Sequence, residues 1–88
     1  MNIYIEDLKK KIIYRATYRG TKEMDTLMSS FAKKYINKIN DKELILLLNL
    51  LEHDDENLYK YNQGIKTSNN IEINNITELF KNYDYKKD

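Results

Sequence analysis

Along almost the whole chain, apolar side chains return every three or four positions, and no proline breaks the pattern. That spacing places apolar residues on one face of a 3.6-residue helix, so the chain is restricted to helices packed on one another. Ile5, Leu8, Ile12 and Ala16 predict a first helix over about Glu6 to Tyr18, and Met24, Leu27, Met28, Phe31 and Tyr35 a second over about Lys22 to Ile36. Gly20 lies between them, where it ends or bends the first helix, is expected to supply the left-handed conformation common just past a helix C-terminus, and lets a neighbouring backbone come close. Asn40 followed by Glu43 reads as a capping box that opens a third helix through about Glu52. Apolar residues surround most of that helix, which predicts a central position. Asp54 or Asp55 caps a short fourth segment around Leu58-Tyr59-Lys60-Tyr61 that stops near Gly64. Residues 65–70 read as a loop, and Asn70 as the cap of a last helix bearing Ile73, Ile76, Leu79 and Phe80. Ile71-Glu72-Ile73 also alternates as a strand does; helix is the preferred reading. Residues 82–88 are charged, have little to bury, and are expected to fray. The predicted fold is all-α, one small domain of about five helices over 1–88 with its core in about 6–80.

Size narrows the function. Eighty-eight residues give one modest core and no room for two lobes around a deep cleft, which favours a binding module over an enzyme. Without cysteine there is no disulfide framework, thiolate zinc site or cysteine nucleophile. His53 with Glu52, Asp54 and Asp55 forms the only dense polar cluster, and carboxylates at a helix start are the more economical reading than a metal site. No phosphate loop, His-Glu-x-x-His or Gly-x-Ser-x-Gly occurs, so no catalytic residues are assigned. The longest apolar run, Leu44 to Leu51, is too short to span a bilayer, and no signal or transit segment is visible.

The basic residues are distributed unevenly. Residues 1–40 carry nine basic and four acidic side chains, residues 41–88 six and ten, so the halves either attract each other within the fold or present a polarised face. Only two of the fifteen basic residues are arginine, and both fall in Tyr14-Arg15-Ala16-Thr17-Tyr18-Arg19-Gly20-Thr21-Lys22-Glu23-Met24-Asp25. Arginine offers a planar, permanently charged fork suited to carboxylates, and with Tyr14 and Tyr18 in the adjacent row it makes an aromatic and cationic strip suited to a protein interface.

That stretch resembles the Arg-Gly-x-x-Glu signature of the SdhE-type succinate dehydrogenase assembly factors, which promote flavinylation. Leu50-Leu51-Glu52-His53-Asp54-Asp55-Glu56-Asn57-Leu58-Tyr59-Lys60-Tyr61 is similar to that family's second block, at the expected distance downstream. Relatives often carry an aromatic where Thr17 stands, a tryptophan where Tyr61 stands, and a proline in the acidic turn. The resemblance implies a five-helix bundle that binds the flavoprotein subunit of succinate dehydrogenase, with fumarate reductase as a further candidate client, and promotes covalent attachment of FAD. FAD would belong to the partner, with no cofactor held tightly by this chain, and the factor would be a monomer in the bacterial cytoplasm. Arg19, Gly20 and Glu23 are the first candidate partner-binding residues, followed by Arg15, Asp25 and Tyr18. Gly20→Arg or Glu23→Ala is expected to leave the helices intact and weaken partner binding by about 2 kcal/mol. Two other classes compete. A small helical nucleic-acid binder is motivated by the basic first half, but the net charge of +1 opposes it. A toxin-neutralising role has no specific support in these residues.

Overall fold

The helical periodicity is realised as α1 (Ile3–Thr17), α2 (Lys22–Tyr35), α3 (Asp41–Leu50), α4 (Asp55–Asn62) and α5 (Asn75–Lys81) in a computed structural model that describes residues 3–87. Among those residues there is no strand, so the all-α expectation holds. Lys9, in the first half of α1, donates to Asn37 Oδ1 just beyond α2 at 3.1 Å. At the other end, the Arg19 amide donates to Asp25 in the first turn of α2, so α2 runs back along α1. One buried cluster draws on every helix, including Ile12 and Ala16 of α1, Met28 and Phe31 of α2, Leu47 of α3, Leu58 of α4 and Phe80 of α5. Each large apolar side chain taken out of water contributes about 1.5–3 kcal/mol. Phe31 is the aromatic hub, with ring centroids 5.1 Å from Tyr35, 5.1 Å from Phe80 and 5.3 Å from Tyr83. Tyr61, where relatives often have tryptophan, lies parallel to Phe80 at 6.4 Å.

The sequence signals set most helix ends. Asn40 and Glu43 form the reciprocal capping box of α3, and Asp54 caps α4 by accepting from the Asn57 amide at 2.9 Å. The left-handed glycine is Gly64 (φ 75°), not Gly20. At Gly64 the Ile65 amide donates to the Lys60 carbonyl and the Gly64 amide to the Tyr61 carbonyl, the paired bonds of a Schellman ending.

Three further expectations are corrected. The last helix starts after Asn74, because Asn74 and Thr77 exchange side-chain and backbone bonds that Asn70 does not make. Residues 71–74 are irregular; Ile71 is buried in the core while Ile73 is 77% exposed. Buried Asn57 fixes the preceding loop, its Oδ1 accepting from the Ser68 amide and hydroxyl at 3.0 and 3.1 Å. Second, α3 is not wrapped on all sides: Leu44, Leu47 and Leu50 face the core and Ile45 is exposed, since four short neighbours cannot enclose a fifth helix. Third, residues 82–87 have more to bury than their charge suggests. Tyr83 is buried, Tyr85 packs on the core, and Asn62 Nδ2 donates to the carbonyls of Phe80 and Tyr83 at 2.8 and 2.9 Å. The final residue of the expected tail, Asp88, lies outside the described residues. No helix is long and apolar enough to cross a membrane among the described residues.

Candidate functional site

Residues 18–21 turn the chain from α1 into α2, and the turn is pinned at both ends. Thr21 caps α2 by accepting from the Met24 amide at 3.2 Å, and Asp25 accepts from the Arg19 amide. The Arg19 side chain, only 11% exposed, points inward. Its Nε donates to Asp55 Oδ1 at 2.8 Å, Nη1 to the Leu51 carbonyl at 2.8 Å and Nη2 to the His53 carbonyl at 2.7 Å. One guanidinium therefore closes the C-terminal end of α3, which has no basic residue in its own last turn, and ties it to the first turn of α4. Lysine could not do this, since a single ammonium lacks a planar fork with donors along three edges. Arg15, one turn earlier in α1, pairs with Glu52. Both arginines of the chain thus grip the same short α3–α4 connection, residues 51–55. The attraction between a basic first half and an acidic second half is satisfied at this point within the fold.

Gly20 lies on the outside of this clasp. A Cβ built on it would stand 3.1 Å from Asp55 Oδ2, the oxygen that Arg19 Nε does not hold. The requirement for glycine is closeness to Asp55, without a left-handed backbone. A larger side chain such as arginine has to displace a carboxylate that Arg19 fixes, so Gly20→Arg perturbs the clasp as well as any surface.

The donors of Arg19 face the interior, and what remains exposed around the turn is Tyr18 and the run from Gly20 through Thr21 and Lys22 to Glu23. Glu23 makes no hydrogen bond or ion pair with a described residue. It lines a shallow recess of about 270 Å³ together with Thr21, Met24, Asp55, Glu56 and Tyr59. Asp55 is neutralised by Arg19, and Glu56 is paired with Lys60 at 3.0 Å, so Glu23 is the uncompensated charge and the recess suits a cationic group. On the other side of the turn, Tyr14 and Tyr18 stand 66% and 69% exposed with ring centroids 4.9 Å apart. The structure therefore brings Arg19, Gly20, Asp25 and Glu23 into one turn, with Tyr18 beside them and Arg15 behind. Glu56 and Tyr59 form the wall that reading the first stretch alone misses; their spacing of three on a capped helix was the available signal. No group of three His, Cys, Asp or Glu side chains among the described residues is arranged to hold a metal ion.

Comparison with known proteins covers most of the chain. A family described as flavinator of succinate dehydrogenase matches residues 10–84. The chain is 33% identical over 72 residues to a protein of Wigglesworthia glossinidia brevipalpis named FAD assembly factor SdhE, covering 82% of this chain and 86% of that one. It is 35% identical over 65 residues to the mitochondrial succinate dehydrogenase assembly factor 2 of Saccharomyces cerevisiae S288c, covering 73% of this chain. A protein of the same name from Scheffersomyces stipitis is 38% identical over 55 residues, 62% of this chain. The chain spans 40% and 37% of the length of these two fungal relatives. No solved structure matches the chain.

Proposed function

The chain belongs to the family of succinate dehydrogenase flavinators, and from that premise we propose that it is an assembly factor that binds the flavoprotein subunit of succinate dehydrogenase and promotes covalent attachment of FAD. The observation that carries the reading is the fusion of the family's two sequence blocks into one rigid unit. Arg19 from the first block is bonded to Leu51, His53 and Asp55 of the second, and the edge left exposed runs from Gly20 to Glu23. Such an edge, fixed before any partner arrives, loses little entropy on docking.

The chemistry follows from positioning. The factor contributes no group to the new bond; it holds the flavoprotein in the conformation in which flavin and the flavoprotein's own histidine react, raising the population of that conformation. FAD stays with the flavoprotein and this chain acts as a monomer in the bacterial cytoplasm. Fumarate reductase is proposed as a second client.

Co-expression of the flavoprotein subunit with and without this chain tests the proposal. Covalent flavin, read as fluorescence on a denaturing gel, is expected to depend on the chain, and Glu23→Ala to reduce it. Equal flavin in both strains with no co-purification overturns the assembly role. Repeating the comparison with a fumarate reductase flavoprotein decides the second client.

A further inference from the structure

The recess beside Gly20 does not end at α4. Glu23 and Tyr59, which line it, also line a second hollow of about 330 Å³ that runs on past Asn62 and Gln63 to Lys81, Asp84 and Lys86. The two hollows form one groove, with α2 and α4 as its sides and the C-terminal turn closing its far end. That far wall is fixed: Tyr83 is buried, Asn62 holds the carbonyls of Phe80 and Tyr83, and the Asp84 side chain accepts from the Lys86 amide at 2.9 Å.

Both signs of charge line the groove. At the Gly20 end Asp55 and Glu56 are neutralised by Arg19 and Lys60, leaving Glu23. At the far end Lys81 and Lys86 face a single carboxylate, Asp84, and neither lysine pairs with a described residue. Between them Tyr59 is 42% exposed. A guanidinium can lie flat on a tyrosine face while its edge bonds a carboxylate, a planar fit that favours arginine over lysine.

We propose that this groove takes an extended segment of the flavoprotein client that carries an arginine and a carboxylate. The arginine stacks on Tyr59 and bonds Glu23, and the carboxylate meets Lys81 and Lys86. This deepens the assembly reading and rests on it, since the occupant is a segment of the same client. It adds Tyr59 and the C-terminal turn to the interface, far in sequence from the Arg19-Gly20 turn.

Affinity for the purified flavoprotein subunit, measured by calorimetry with full-length variants, is the test. Tyr59→Ala is expected to weaken binding about tenfold and Tyr59→Phe to keep it, because stacking needs the ring and not the hydroxyl. Lys81→Glu with Lys86→Glu is expected to weaken binding about fivefold at low salt and less at high salt, as charges at an interface rim do. All three variants alter exposed side chains, and unchanged melting temperatures will confirm that the fold is kept. If the Tyr59 and lysine variants bind like the parent while Glu23→Ala binds weakly, the groove is overturned and the assembly reading stands. If the parent itself does not bind the flavoprotein, both fall. A second copy of this chain as the occupant would appear as a dimer lost in the lysine variant, and would also overturn the proposal.

Discussion

The Arg19 guanidinium makes three short hydrogen bonds, to Asp55 and the carbonyls of Leu51 and His53 at 2.7–2.8 Å, and a longer one to the Arg15 carbonyl at 3.4 Å. Arg19→Ala leaves two carbonyls and the Asp55 carboxylate without their donor, a loss of about 2–3 kcal/mol after allowing for the partial exposure of Asp55. Urea unfolding should show a lower midpoint with an unchanged slope; a midpoint equal to the parent's would refute the clasp. Glu23→Ala should change stability by less than about 0.5 kcal/mol, because Glu23 is exposed and makes no bond within the described fold. Gly20→Ala should cost about 1 kcal/mol by pushing on Asp55, and the cost should shrink in an Asp55→Ala background. Additive effects in that double-mutant cycle would show that the two residues do not touch. The sequence made the arginines conspicuous by their rarity, but not the direction they face. That direction depends on residues 51–55, more than thirty positions away, and no local pattern encodes such a contact. The same distance hid why position 20 is a glycine.

At the level of helices, the Asn–Glu capping box was readable and the Asn–Thr one was not. Asn40 with Glu43 was legible because both halves of the box are side chains of standard type. Asn70 reads as the cap when Ile73 is counted with Ile76, Leu79 and Phe80 on one helix face, yet Ile73 faces solvent and the Asn74–Thr77 box decides the start. Asn74→Ala should therefore cost about 1 kcal/mol while Asn70→Ala is neutral, checked by thermal unfolding. The loop before α5 depends on Asn57, a polar side chain that is 1% exposed, whose role periodicity cannot reveal because it serves a segment eleven residues on. Asn57→Ala should speed proteolytic cleavage within residues 65–70 with the far-ultraviolet helical signal kept. Cleavage at the parent's rate would remove the anchor from the account.

Over the molecule as a whole, the C-terminal turn belongs to the core. A chain ending after Lys81 loses Tyr83 and its contact with Phe31, and should be destabilised by about 3 kcal/mol or more, the scale of deleting a buried aromatic. Unfolding that matches the parent would restore the expectation of a frayed tail, which rested on charge density and overlooked tyrosines spaced to reach inward. The Arg19 clasp has a consequence in time as well as in space. The turn at residues 18–21 is made early in synthesis, but the carbonyls and the carboxylate that set it belong to residues 51–55. On the ribosome the edge is unset until that stretch has emerged, so an incomplete chain does not display a finished docking surface and cannot occupy the proposed client unproductively.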